Sequence, residues 1–261
     1  MLKTDIVFSW VNGSKFLVKQ GETGITGNIY GGLNEFEDMS FLLHVLREED
    51  LFVDVGANVG AYSILACAAV GSNGIAFEPA PSAFDRLMGN VRLNDIEDKI
   101  LCLNEGVGEQ PGELSFTLGL DTVNHVVAKG EFHEDSKLVK ISTLNEKLKD
   151  ASPAVIKIDV EGFETPVLDG ANRVLENKHL HSLIIELNGS GERYGFDEKK
   201  ILEKLSYYEF STYSYDPFCR KLISLGGKNL TSGNTLFIRQ KEKVEERLST
   251  SRQYKVLEHL L

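Results

Sequence analysis

The sequence predicts an α/β fold: a mostly parallel sheet with helices on both faces, plus an N-terminal β/α extension. Three observations carry this prediction. From residue 51 onward, short apolar runs alternate with helix-like segments at close intervals, the pattern of strands joined by helical crossovers. Five of those runs end at Val55, Phe77, Leu103, Ile158 and Ile185. They are followed by GANVG, EPAPS, NEGVG, DVEGFE and ELNGSG, and open parallel sheets place their chemistry at these carboxyl ends. The composition is that of an ordinary globular chain, with 261 residues, 42% apolar and 26% charged, enough for one decorated α/β domain.

In chain order, residues 1–34 are polar and glycine-rich, and the alternation in IVFSWV and KFLVKQ predicts a hairpin turning at Asn12-Gly13. Apolar residues at 36, 39, 42, 43 and 46 predict a helix within 35–50. LFVDV (51–55) opens the sheet, and 61–70 reads as a helix. GIAFE (74–78) is the second strand. Ser82-x-x-Asp85 reads as a capping box opening a helix to about Leu93. ILCLN (100–104) is the third strand. The rhythm then breaks. GELSFTL and KLVKIS are β-like runs around a polar segment, and Thr143-x-x-Glu146 caps a short helix. AVIKIDV (154–160), a helix near 164–176, SLIIELN (182–188) and a helix at 197–206 resume the pattern. YEFSTYSY (208–215) and NTLFIRQ (234–240) are the last strands. The expected organisation is a hairpin-and-helix extension at 1–50, a main domain at 51–240 and a charged helix at 241–261.

The net charge of −11 and the interleaving of Lys and Arg with Glu argue against a nucleic-acid substrate. Cys67, Cys102 and Cys219 are scattered without a CxxC pair. No apolar run approaches the ~18 residues of a membrane span. The expectation is a soluble, cytoplasmic protein with no membrane partner.

The first strand turn, Asp54-Val-Gly56-Ala-Asn58-Val-Gly60, departs from the dinucleotide fingerprint GxGxxG, which would need glycine at 58 and 61. Asp54 suits a cationic amine better than a pyrophosphate. Glu78, ending the second strand, stands where a carboxylate accepts hydrogen bonds from ribose hydroxyls. Ribose and amine without phosphate describe S-adenosylmethionine better than NAD. Taken singly, the glycines could serve strand–helix packing only, and Glu78 could be a surface carboxylate.

DVGANVG, FEPAPS, NEGVG, IKIDVEGFE and LIIELN, in this order, resemble the FkbM family of S-adenosylmethionine-dependent methyltransferases, over about Leu51 to Asn188. The resemblance implies the class I methyltransferase fold, a Rossmann-like sheet ending in an antiparallel strand pair. It also implies a cofactor site at Asp54, Gly56, Asn58, Gly60 and Glu78, with Asn104, Glu105 and Gly106 bordering the adenine and Asp159 facing the sulfonium. The implied reaction is O-methylation of a hydroxyl on a sugar, glycan or small metabolite.

On the acceptor side, Asp159, Glu186 and Asn188 follow what should be neighbouring strands and offer oxygen ligands for a divalent metal such as Mg or Mn. Alternatively, Glu161 and Glu164 cap the next helix and Asp159 only orients the cofactor. His125, in the polar insertion, is a candidate general base, alongside Asp159 and Glu161 as catalytic carboxylates. His133 reads as a solvent residue. Two other classes stay open: an NAD-dependent Rossmann-fold oxidoreductase or epimerase, and a non-catalytic binding module. The N-terminal hairpin could pair across a homodimer.

Overall fold

The strand LFVDV forms because four apolar residues around Asp54 meet partners on both sides, and this largely apolar character suits a strand covered on both faces. A computed structural model describes residues 6–18, 25–120, 123–131 and 134–261; His133 lies outside them. In chain order the strands and helices are β1 (Ile6–Ser9), β2 (Lys15–Val18), α1 (Thr26–Gly31), α2 (Phe36–Val45), β3 (Leu51–Val55), α3 (Ala61–Ile64), β4 (Asn73–Phe77), α4 (Pro81–Leu93), β5 (Ile100–Leu103), β6 (Gly106–Val107), β7 (Gly112–Thr117) and β8 (Ser136–Ser142). The second half contributes α5 (Leu144–Lys147), β9 (Val155–Ile158), α6 (Glu164–Asp169), α7 (Asn172–Glu176), β10 (Ser182–Glu186), α8 (Glu198–Tyr207), β11 (Ser211–Asp216), β12 (Lys221–Ser224), β13 (Asn234–Ile238), α9 (Lys241–Ser249), β14 (Lys255–Val256) and β15 (His259–Leu260).

Eight strands make the main sheet in the order β12-β11-β13-β10-β9-β3-β4-β5. The run β10-β9-β3-β4-β5 is parallel, and β13 pairs antiparallel with both β10 and β11. This is the parallel sheet with a terminal antiparallel pair expected of the class I methyltransferase fold. Side chains alternate between two cores. Phe52 and Val155 pack with α2, α3 and α9, whereas Val53, Val55, Ile156 and Ile158 pack with α6 and α8. By the same alternation Asp54, Lys157 and Asp159 share the first face.

The break in rhythm after β5 is a separate three-stranded sheet, β6-β8-β7. Its inner face, with Phe116, Val126, Val139 and Ile141, packs against Ala80. The N-terminal hairpin turns through Asn12 and Gly13, both left-handed (φ 50° and 85°). It is pinned to α4, where Asn90 Oδ1 accepts from Leu17 N at 2.8 Å and Asn94 Oδ1 from Lys15 N at 2.8 Å.

Several expectations are corrected. Ser82 does not cap α4. Pro81 takes the first turn, its fixed φ suiting that position, and Ala80 is the N-cap without a side-chain bond. Thr143 does cap α5, accepting from Glu146 N at 3.1 Å. The helix expected over 164–176 is split at Gly170, where an added Cβ would lie 2.1 Å from the Gly108 carbonyl oxygen. The C-terminal helix ends at Ser249, and a short hairpin, β14–β15, follows. The segment after α3 is a π-helical stretch, Leu65–Val70. Among the described residues no helix is long and apolar enough to cross a membrane.

Candidate active site

At the carboxyl ends of β3, β4, β9 and β10 lies a cleft of about 370 Å³. Backbone geometry shapes its floor. Gly56 sits at φ 83°, and a Cβ there would lie 1.8 Å from the Asp159 carbonyl oxygen. Gly60 sits at φ 94°, where a Cβ would meet Leu87 Cδ1 at 2.6 Å. The two glycines are therefore required by neighbouring protein, the β9 strand end and helix α4. Asn58, between them, is left-handed at φ 50°. Its short polar side chain tolerates that region better than most.

Two buried carboxyls flank this turn. Asp54 is held by Ser63, whose Oγ donates to Oδ2 at 2.7 Å. Burial pushes its pKa up to about 6, against the lowering effects of the Ser63 bond and the Lys157 ammonium. Glu78 accepts from Asn58 N (2.8 Å) and Ala80 N (2.7 Å). Burial outweighs both bonds and raises it to about 7. Asp54, Gly56, Asn58, Glu78 and Gly106 all line the cleft. Gly60 shapes the turn from behind. Asn104 donates to the carbonyls of Glu78 and Pro79 (2.8 and 3.2 Å), so it fixes the Glu78 segment rather than the cleft wall. Glu105 is turned away altogether, because Lys140 (3.0 Å) and Lys147 (2.5 Å) from the second sheet and the helix after it capture its carboxylate.

The opposite wall contains a residue to which sequence reasoning assigned no role, although it lies inside the IKIDVEGFE motif. Lys157, in the middle of an apolar strand, is 1% exposed and lines the cleft. Its Nζ donates to Asp159 Oδ2 at 2.9 Å and lies 5.0 Å from the centre of the Tyr62 ring. Burial opposes its charge, but Asp159 and Glu35 outweigh that and hold it as a strong cation. The Tyr62 hydroxyl donates in turn to Glu35 Oε2. Burial disfavours ionised Asp159, yet the Lys157 ammonium pulls its pKa below the usual range. Glu186, hydrogen-bonded to Asp159, is pushed by burial and by that neighbouring charge up to about 9, so it keeps its proton at neutral pH. The only sequence signal for Lys157 is its i, i+2 spacing to Asp159, which puts both on one face of a strand.

Asp159, Glu161 and Glu186 bring carboxylate oxygens within 4.8 Å of one another. The expected third ligand, Asn188, is not with them; its Oδ1 accepts from Ser190 N at 2.9 Å in its own turn. Glu161 occupies a left-handed conformation (φ 53°), an uncommon one for a non-glycine residue that points to a constrained site. Its carboxylate makes no hydrogen bond to a described residue, and burial followed by the Asp159 charge raises its pKa. Glu164 clamps the same loop, accepting from Val160 N (3.3 Å) and Gly162 N (3.1 Å). His125 does not join the cleft lining; its neighbour Asn124 does. Its ring nitrogens lie 2.9 Å from Val123 O and 3.0 Å from Glu131 Oε1, so both are engaged within the insertion.

The sequence profile of the methyltransferase FkbM domain matches residues 54–212. The chain is 29% identical over 181 residues to the hexuronic acid methyltransferase AglP of Haloferax volcanii, covering 68% of this chain and 70% of that protein. It is 27% identical over 172 residues to the methyltransferase sdnD of Sordaria araneosa, covering 52% and 66%. Among solved structures, an rRNA methylase from Streptococcus thermophilus aligns with a TM-score of 0.44 at 14% identity, over 77% of this chain and 91% of that one.

Proposed function

The chain belongs to the FkbM methyltransferase family, and from that premise we propose that it moves a methyl group from S-adenosylmethionine to a hydroxyl of a sugar or other small polyhydroxylated acceptor. The observation that carries this reading is the pair of buried carboxyls, Asp54 and Glu78, at the ends of adjacent parallel strands on either side of the Gly56–Gly60 turn. Asp54 matches the donor's ammonium and Glu78 its ribose hydroxyls. Val107, Phe116, Ile141 and Ala80 offer an apolar slot for the adenine.

When bound, S-adenosylmethionine supplies a methyl group already activated on a sulfonium for in-line displacement. The chain then has to align the acceptor and take its proton. Glu161 is suited to take that proton. It faces the cleft, is unengaged by other side chains, and its raised pKa makes it a better base than an ordinary carboxylate. The Lys157 ammonium is placed to favour negative charge developing on the acceptor oxygen. Ionised Asp159 orients Lys157, and protonated Glu186 orients Asp159.

The carboxylates of this wall fit a divalent ion poorly. Asp159 already holds the Lys157 ammonium at 2.9 Å, so a divalent ion there would be brought against a buried cation. We therefore read the reaction as independent of metal, so EDTA should leave the rate unchanged.

Calorimetric titration tests the donor. S-adenosylhomocysteine should bind wild type and lose at least ~10-fold in affinity in Glu78→Ala, with no binding of NAD. Tight NAD binding without S-adenosylhomocysteine binding sinks the proposal in favour of an oxidoreductase. Glu161→Gln should keep donor affinity and lower the methyl-transfer rate by roughly 10²–10⁴-fold.

A further inference from the structure

The cleft has an unbalanced charge. Six carboxyl groups line it, on Glu35, Asp54, Glu78, Asp159, Glu161 and Glu186, and among the described lining residues they face one cation, Lys157. Four of the six are accounted for. Asp54 and Glu78 belong to the donor, Asp159 is matched by Lys157, and Glu186 is hydrogen-bonded to Asp159. Of the other two, Glu161 is the proposed base, and Glu35 remains without a role.

Glu35 comes from outside the family match. It precedes α2 and lines the cleft with Asn28, Asn34 and Met39 from the same N-terminal extension. One of its oxygens is fixed by the Tyr62 hydroxyl, and the other is engaged by no described residue. Tyr62 is itself buried beneath Lys157, so the Glu35 carboxylate is held in place rather than free to swing away. Asn28 and Asn34 are uncharged, and Asn28 Oδ1 already accepts from Asn34 N at 2.9 Å. Arg193 and His125 also act on Glu161, but both lie outside the cleft lining, and Arg193 is exposed.

We propose that Glu35 is a specificity-determining residue: it makes the acceptor subsite select a sugar bearing an amino group and reject one bearing a carboxylate. The inference rests on the methyl-transfer reading above and adds the acceptor class to it. An acceptor carboxylate would be brought against two carboxylates in a partly dehydrated cleft, where like charges repel more strongly than in water. An acceptor ammonium would meet the unengaged oxygen of Glu35 in a charge-assisted hydrogen bond. Discrimination then comes as much from repulsion of the wrong acceptor as from attraction of the right one.

A matched set of p-nitrophenyl glycosides of glucosamine, glucose and glucuronic acid tests this, with methyl transfer from labelled S-adenosylmethionine followed by mass spectrometry. Wild type should use the glucosaminide best, with kcat/KM at least ~10-fold above the glucuronide. Glu35→Gln should shrink that ratio several-fold, mainly through KM. A glucuronide used as well as the other two overturns the proposal, as does a ratio unchanged in Glu35→Gln. Transfer to none of the three, while S-adenosylhomocysteine still binds, overturns the acceptor class alone. Absence of S-adenosylhomocysteine binding fails the methyl-transfer reading instead.

Discussion

A single side chain decides how the catalytic wall is charged. Lys157 is 1% exposed, and its ion pair with Asp159 is the link between Glu35 and Tyr62 on one side and Glu186 on the other. Removing one partner of a buried pair leaves the other charge uncompensated. The Asp159 side chain keeps 30% exposure, which brings the cost below the ~3–5 kcal/mol of a fully buried pair, to ~2–3 kcal/mol for Lys157→Met. The double variant Lys157→Met/Asp159→Asn should recover at least half of that loss in urea unfolding. Additive losses would show that the pair is not coupled. Lys157 stands inside the IKIDVEGFE motif, but its role was hidden, because the sequence does not show that a lysine within an apolar strand faces a cleft. Gly56, Asn58 and Glu78 were legible because turn chemistry and strand-end position mark them. Even so, the partner of the glycines could be read only from coordinates: it is the Asp159 carbonyl for Gly56 and Leu87 for Gly60.

Among elements, the small sheet β6-β8-β7 and the loop inside it complete the cleft, and a hydrogen bond from Tyr194 helps tie that loop to the body. The Tyr194 hydroxyl, in the turn Ser190–Tyr194, donates to Val126 O at 2.6 Å, and its ring packs edge-on against Phe163 (5.4 Å between centres). Tyr194→Phe keeps the ring contact and deletes the bond, worth ~1 kcal/mol. Donor affinity should fall several-fold with the transfer rate at saturation unchanged, and amide exchange should rise at 123–128. Unchanged exchange there would mean the bond does not restrain the loop. Periodicity made the sheet and its order of strands and helices legible, since continuous apolar runs and capped amphipathic helices are local signals. The polar insertion was legible only as two β-like runs. The pairing of β8 in parallel with β6 and antiparallel with β7 is a long-range fact. Short pieces such as α1 and β14–β15 were not read at all, because two to six residues hold too few periods to register.

At the scale of the molecule, the balance of buried acids sets a pH dependence opposite to that of most acidic proteins. Burial is the foremost cause that raises Asp38 and Asp54 from 3.8 to about 6, Glu78 and Glu164 from 4.5 to about 7, and Glu186 from 4.5 to about 9. Between the ordinary carboxylate range and these raised values, the folded chain binds more protons than the unfolded one. Stability from these groups is therefore complete below about pH 4 and is lost as pH rises through the raised values. Asp159 and Glu105, held low by lysines, act in the other sense and lose their contribution as pH falls below the ordinary range. A net charge of −11 adds self-repulsion on the alkaline side. The two tendencies cross in mild acid, so the Tm in scanning calorimetry should be highest near about pH 5 and fall steadily toward pH 9. Glu186→Gln removes the last group to titrate and should flatten the curve above about pH 7. The donor's ammonium favours ionised Asp54, so the rise in Tm given by saturating S-adenosylhomocysteine should grow as pH increases from about 5 to 8. A Tm that climbs through that interval in the free protein would mean that these carboxyls are already ionised in the fold. The charge assignments built on them, protonated Glu186 first, would then have to be reversed.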